Sequence, residues 1–323
     1  MSFIEFCMAN GIIIDKPPRI GVWERYPTET HPRKRNGAVK WMVDYGFCQD
    51  HAIHTEIQFW RADAPIKIDS RLIQKTITEA DIERRKLQEN AAMRASMIMS
   101  RCLFGRHDYL VQKGFPDERG AIWCHDKTEH LVVPMYEDSR LIGLQTIDRD
   151  GGKKFLYGQK TGGASLTIGR EGADVLCEGY ATGLSIRAAM LALKNQWRIH
   201  VCFSAGNLGK IASRIRSGFV VADNDESGTG EKIAKKTGFR YWLSDRKGED
   251  FNDCHRRLGL FSASESLWAS MHQVGGNNLR KATTFSDAIE ARKFAHKLHA
   301  DGKSLAVLAN EVSSDGNPVT IFD

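Results

Sequence analysis

Between Ala173 and Asp253 the chain concentrates the residue types that can hold a divalent cation. Glu178 follows the largely apolar stretch 173–177, Asp223 and Asp225 follow the apolar run 219–222, and Asp250, Asn252 and Asp253 close the segment 248–253. Each of these stretches delivers acidic side chains close behind a short apolar run, and the C-terminal end of a strand is where an open parallel sheet places its ligand crevice. Carboxylates gathered there repel one another unless cations sit between them. The arrangement therefore predicts divalent metal more readily than a lone acid or base.

The elements that must position these groups can be read around them. Strand 173–177 leads through Glu178-Gly179 into an amphipathic helix over 182–194, with Thr182 as its N-cap. A second strand, 198–204, ends in a loop over 205–209, from which a helix runs to Arg216. Strand 219–222, a helix over 227–238 and strand 239–244 follow. This β-α alternation implies a mostly parallel, Rossmann-like sheet with flanking helices. Gly179 and Gly228, beside the acids, would permit positive φ or a close backbone approach.

Upstream, residues 121–168 read as strand and turn: 130–136, a turn at Asp138-Ser139, 140–148 and 149–157. Pairing these strands would bring Arg149, Lys153, Lys154 and Lys160 together as a basic strip suited to nucleotide or template phosphates. The alternative is a structural antiparallel sheet whose lysines guard a solvated edge. Before it, 81–100 is dense in helix formers, so a connecting helix is expected to start near Thr78, with 107–114 a short continuation ended by Gly114 and Pro116. Residues 1–15 suggest a short helix, a turn at Asn10-Gly11 and a strand.

From Lys16 to Lys40 there are seven Lys or Arg against two Glu, interleaved with Trp23, Tyr26 and the adjacent Trp41. Cations can follow a phosphate backbone while aromatic faces stack on unpaired bases, which makes Arg33, Lys34, Arg35, Lys40 and Trp41 candidates for DNA binding. The same composition also fits a small strand-rich domain with an aromatic core and solvated charges. The expected organisation is a basic N-terminal unit (1–65), a helical connector (66–118), a β-rich basic segment (119–171), the α/β sheet (172–258) and an accessory segment (259–323). In the last, 265–272 and 287–299 look helical, and 304–309 and 319–323 look like strand.

A formal charge of +6 with a pI near 8.9 favours an anionic partner. No run of eighteen apolar residues and no basic-then-apolar leader occurs, so no membrane partner is expected and the cytoplasm, a host cell's if the chain is phage-encoded, is the expected compartment. Seven scattered cysteines suit reduced thiols. There is no Cys-x-x-Cys, and the triplets Cys48, His51, His54 and Cys124, His125, His130 each lack a fourth ligand, so zinc is not expected.

Three motifs in order, Glu178-Gly179, then Asp223-Asn224-Asp225 with Ser227-Gly228, then Asp250, Asn252 and Asp253, resemble the Toprim domain over about 172–258. That domain is shared by DnaG-type primases, topoisomerases and some nucleases. Residues 132–158 are similar to the segment before Toprim in phage and plasmid primases, and 107–114 looks like a short motif preceding that segment, which favours primase. The resemblance implies a Toprim fold (α/β, mostly parallel sheet) preceded by a mixed α+β part. It implies RNA primer synthesis on single-stranded DNA from NTPs, with Asp223 and Asp225 holding Mg²⁺ or Mn²⁺, Asp250 a further ligand, and Asn252 or Asp253 beside it. Glu178 would join the metal shell or accept a proton, and Arg149, Lys153 and Lys154 would steer the triphosphate. A Toprim nuclease and a non-catalytic single-strand-binding replication accessory are the alternatives. The zinc module that such primases carry at the N-terminus is missing from 16–60. No Gly-x-x-x-x-Gly-Lys-[Ser/Thr] occurs, so an unwinding helicase would be a separate partner.

Overall fold

The computed structural model describes residues 1–54, 56–64, 70–272, 282–285, 306–307 and 319–322. The chain divides into two compact units, Met1–Leu267 and Trp268–Asp323. The architecture is mixed α/β with several sheets.

The first unit opens with helix α1 (Phe3–Ala9), fixed by a capping box in which the Glu5 amide donates to the Ser2 hydroxyl and the Ser2 amide donates to Glu5. A four-stranded antiparallel sheet follows in the order β1 (Trp23–Tyr26), β2 (Gly37–Trp41), β3 (Tyr45–Asp50), β4 (Gln58–Arg61). Phe3, Cys7, Ile12, Tyr26, Val39, Cys48 and Trp60 form its core. Gly46 is required there, because a Cβ would run into the Phe3 ring.

Helix α2 spans Ser70–Ser100, so it starts eight residues before the expected Thr78. The stretch 70–77 lacks Gly and Pro, and its β-branched residues cost only tenths of a kcal/mol each, too little to end a helix. The Thr76 and Thr78 hydroxyls donate to the carbonyls of Leu72 and Gln74 within the helix instead of capping it. Only the C-terminal half of α2 is buried, with Ala95 and Ile98 packed on Val132 and Leu144.

Those two residues belong to a second antiparallel sheet, ordered β5 (Leu103–Gly105), β6 (Gly120–His125), β7 (Thr128–Glu137), β8 (Arg140–Ile147), β9 (Lys153–Phe155). Asp138 and Ser139 both take positive φ, 47° and 65°, as the tight hairpin between β7 and β8 demands. Residues 108–112 form a separate helix, α3 (Asp108–Gln112), because β5 intervenes after α2.

The third sheet runs β10 (Leu166–Ile168), β12 (Trp197–Val201), β11 (Ala173–Cys177), β13 (Gly218–Ala222), β14 (Arg240–Leu243); the last four are mutually parallel and β10 is antiparallel. Helices α4 (Tyr180–Ala192), α5 (Ala205–Ala212), α6 (Thr229–Thr237) and α7 (Phe251–His272) accompany it. Thr182 does not cap α4: Gly179 is the N-cap, and Thr182 is buried in the first turn. The expected loop 205–209 is the first part of α5, capped by the Ser204 hydroxyl, which accepts from the Asn207 amide. The second and third sheets share a core in which Tyr109, Leu110 and Leu131 meet Ala181 and Leu184 of α4. That contact fixes the basic sheet against the acidic strand ends.

The second unit contains the end of α7 and a three-stranded antiparallel sheet in the order β15 (Ala282–Phe285), β17 (Val319–Phe322), β16 (Ala306–Val307). The helix expected over 287–299 lies outside the described residues. Among the described residues no helix is long and apolar enough to cross a membrane.

Candidate active site

The strand order places the acids. From β11 the chain crosses through α4 to β12 on one side, then returns through α5 to β13 on the other side of β11. The loops leaving β11 and β13 therefore diverge, and the crevice between them is the topological switch point of the sheet. Glu178 directly follows β11 and Asp223 directly follows β13. The two strands are adjacent and parallel, with Cys177 opposite Val221, so Glu178 leaves the sheet level with Ala222 and Asp223 one residue beyond it, near enough for the two carboxyls to repel each other.

Burial raises both. It pushes the Glu178 carboxyl up to about 7 against an amide hydrogen bond from Ala205 and the attraction of Lys153, with the Asp225 charge adding to the rise. Burial also pushes Asp223 up to about 8, aided by repulsion from Glu178, Asp250 and Asp225 and opposed by Lys153. Oδ1 of Asp223 is buried without a hydrogen-bond partner.

Asp225 behaves differently. Partial burial favours its neutral form, but the Ser227 hydroxyl and the amides of Gly230 (2.9 Å) and Thr229 (3.2 Å) donate to it and hold its carboxyl below the usual range. It thereby closes the turn into α6. Gly228 takes φ +67° at this turn, as the sequence suggested, whereas Gly179 has φ −98° and needs no glycine for its conformation. The close approach falls at Gly230 instead, where a Cβ would strike the Asp223 carbonyl.

The third acidic segment is pinned to this turn. The Gly248 amide donates to the Asn224 carbonyl at 2.7 Å, the Asn224 amide to the Glu249 carbonyl at 3.3 Å, and the Asn224 side chain to the Ser244 carbonyl at 3.0 Å. Asp250 is thereby brought into the field of Asp223, and its Oδ1 accepts from the Asp253 amide at 2.9 Å, capping α7. Asp253 points elsewhere, toward Lys113 Nζ at 3.8 Å. Asn252 is fully buried and donates to the Lys113 carbonyl (2.9 Å) and Ser185 hydroxyl (3.0 Å), so it ties α3 to α4 and α7.

The expected basic strip separates. Lys153 acts on both raised carboxyls and lines a cleft of about 350 Å³ with Tyr109, Gln112, Lys113, Asp150, Gly151 and Arg256. Lys154 follows it along β9 and so takes the opposite face. The Arg149 side chain is exposed and outside the cleft lining, while its carbonyl accepts from Gln112. Lys160 is engaged by Glu137 at 2.7 Å, with Arg214 at 3.6 Å on the same carboxylate. Lys113 and Arg256 also line the cleft, and no motif in the sequence marks them. The usable signal is spacing, because Arg256 lies three residues after Asp253 on α7 and shares its face.

In the N-terminal sheet, Arg33, Lys34 and Arg35 lie exposed between β1 and β2, with Arg35 bound to the Arg25 carbonyl (2.9 Å) and Asp15 (3.2 Å). Lys40 sits on β2 opposite Trp23. Trp41 is not an open stacking surface: its indole N–H donates to the Val43 carbonyl at 3.1 Å and its ring stacks on Phe3 at 6.3 Å, within the core.

Among the described residues no group of three or more His, Cys, Asp or Glu side chains forms a ready-made metal cage. The fit to a hard cation rests on the partnerless Asp223 oxygen and the crowding of Glu178, Asp223 and Asp250. Mg²⁺ suits such a donor set, since it is commonly held by one or two carboxylates and retains several waters.

A scan against protein families finds no match, and neither does a search of curated proteins. Among solved structures, the chain is similar to one in the bacteriophage T7 lagging-strand DNA polymerase interacting with primase domains of two gp4 subunits bound to an RNA/DNA hybrid and dTTP. The TM-score is 0.38 and the identity 16%, over 52% of this chain and 92% of that one. An overlap this loose carries no argument about function.

Proposed function

We propose that this chain is a template-directed nucleotidyltransferase of the primase type, joining NTPs into short primers on single-stranded DNA. The carrying observation is the juxtaposition at the switch point: two carboxyls with raised pKa values on adjacent strand ends, beside a cleft lined by Lys113, Lys153 and Arg256. Acids alone would suit many reactions. A cationic cleft next to them suits a substrate that brings a triphosphate to a carboxylate site, and the three-motif resemblance to Toprim primases points the same way.

Lys153, Lys113 and Arg256 would hold the triphosphate, and Lys153, which acts on Glu178 and Asp223, would link that tail to the acids. Glu178, with its carboxyl pushed up to about 7, can take up or release a proton at neutral pH and would accept the one leaving the attacking 3′-hydroxyl. Asp223, assisted by Asp250 and Asp225 through water, would hold Mg²⁺ or Mn²⁺, which when bound neutralises charge building on the pyrophosphate leaving group. Asp225 and Gly230 keep the turn after β13 in shape. An unwinding helicase, where needed, would be a separate protein.

The test is to incubate the protein with single-stranded templates, labelled NTPs and Mg²⁺ or Mn²⁺ and to resolve the products on a gel. Labelled oligonucleotides that disappear with Asp223→Ala are expected. A shortened template with no labelled product would make the chain a nuclease, and a DNA shift equal in both proteins with no product would remove catalysis.

A further inference from the structure

The N-terminal sheet has a second face that neither its core nor the acidic site uses. Strand alternation sends Tyr26, Val39, Cys48 and Trp60 inward, which leaves Trp23, Lys40, Phe47 and Phe59 on the other side. The register puts these four in one row: Trp23 opposite Lys40, Lys40 opposite Phe47, Phe47 opposite Phe59. Tyr45 extends the row along β3. Ring centroids lie 6.2 Å apart for Trp23–Phe47, 5.4 Å for Phe47–Phe59, 5.8 Å for Tyr45–Phe47 and 6.4 Å for Tyr45–Phe59, so the rings form one continuous patch. It is open at both ends, with Trp23 48% and Phe59 57% exposed.

Charge decides what such a patch fits. Strand positions sharing this face carry Arg25, Lys40 and Arg61 and no carboxylate. Among the described residues neither Lys40 nor Arg61 has an acidic partner; the acids of these strands, Glu24 and Asp50, are turned inward and buried. A second copy of the same face would meet like charge, which disfavours self-association. A polyanion with free aromatic faces of its own answers both features, because cations track phosphates while rings stack on bases. Bases in a duplex are already stacked, so the ligand must be single-stranded. Four strands at about 4.8 Å spacing give a row about 14 Å long, room for a few nucleotides.

We infer that this face is a stacking platform for single-stranded nucleic acid, with Trp23, Phe47 and Phe59 under the bases and Arg25, Lys40 and Arg61 on the phosphates. It keeps Lys40 and Trp23 of the surface expected from sequence but replaces Arg33, Lys34, Arg35 and Trp41 with Arg25, Arg61, Phe47 and Phe59. It stands on the N-terminal sheet alone and does not require the acids to be catalytic.

The full chain is titrated into a labelled oligo-dT of about 12 nucleotides, a length within the range one small domain covers, and read by fluorescence anisotropy. Trp23→Leu and Phe59→Leu keep apolar bulk at exposed positions while removing the ring, and their melting temperatures are checked against wild type. Each is expected to weaken binding roughly tenfold or more, and Lys40→Ala or Arg61→Ala to reduce the salt slope by about one. The same strand annealed into a duplex should compete at least about tenfold less well. Asp223→Asn should bind as wild type, which separates failure of the platform from failure of the catalytic reading. Wild-type affinity in both Leu variants, equal competition by duplex, or no binding by wild type overturns the inference. So does a concentration-dependent dimer that Trp23→Leu abolishes while leaving DNA affinity unchanged, since that assigns the face to a second copy.

Discussion

Replacing Asp223 with Asn is expected to stabilise the protein, and increasingly so as pH rises. The Asp223 carboxyl is buried, faces Glu178 and Asp250, has one oxygen without a partner, and is pushed up to about 8 from 3.8. The unfolded chain releases this proton near pH 4, so above that point folding either takes a proton up or buries a charge. A raised carboxylate pKa therefore costs stability progressively from about pH 4 to pH 8, and the full cost is present above pH 8. At 1.36 kcal/mol per pH unit, the cost is roughly 2 kcal/mol at about pH 5.5 and roughly 5–6 kcal/mol at about pH 8.5. The gap between Asp223→Asn and wild type should widen by about 3 kcal/mol across that window, as an order of magnitude. Partly buried histidines such as His255, whose pKa is lowered by burial, also move stability in this range, but they cancel between the two proteins. Glu178 keeps its burial in the variant, which should leave the variant a shallower slope of its own. Urea unfolding at both pH values in chelator, with unchanged m, gives the comparison. Added Mg²⁺ at the higher pH should then stabilise wild type and not the variant, because a cation that binds only the folded dianion stabilises by mass action. Parallel stability-versus-pH curves for the two proteins would refute the account of Asp223.

Two further substitutions probe how the site is held. Gly230→Ala places a Cβ against the Asp223 carbonyl and must displace the start of α6 from Asp225, so a stability loss of about 1–3 kcal/mol and a loss of primer synthesis are expected. Gly206→Ala in α5, where nothing lies within 4 Å of the added carbon, serves as the tolerated control. Asn252→Ala removes the bonds to the Lys113 carbonyl and Ser185, which should cost about 1–3 kcal/mol and loosen α3 against α7. Because Lys113 lines the cleft, the KM for NTP should rise more than kcat falls, and a kinetic titration at saturating template separates the two.

The acidic strand ends are legible in sequence because a parallel strand buried on both faces is a short, nearly continuous apolar run. A carboxylate directly after such a run must sit at its C-terminal end. Strand β11 matches the stretch 173–177, apolar but for Asp174, whose carboxylate is taken up by Arg198 and His200, and β13 begins one residue before the run 219–222 that marks it. What the runs do not contain is the side of β11 on which each later strand is added. That choice, which creates the crevice, depends on how α4 and α5 pack. Short elements escape for a related reason: β10 has three residues, and its pairing with β12 rests on register rather than on any local pattern. Lys113 and Arg256 escape because they reach the cleft from α3 and α7, which Asn252 joins across 139 positions of sequence.

The basic and aromatic residues fail in a more instructive way. Lys153 and Lys154 are neighbours in sequence and therefore opposites on a strand, so a pair that reads as one positive feature supplies one cation to the acids. Lys160 has the right charge, but Glu137 engages it. The same parity governs the N-terminal sheet. Trp41 lies in the most basic stretch, yet it falls on the inward register with Phe3, while its neighbour Lys40 stands on the open face between Trp23 and Phe47. Moving the register by one residue would exchange the two faces and bury the cations. Composition thus tells that a basic aromatic sheet is present, and only the pairing of Trp23 with Lys40 and of Lys40 with Phe47 tells which aromatics remain free to stack.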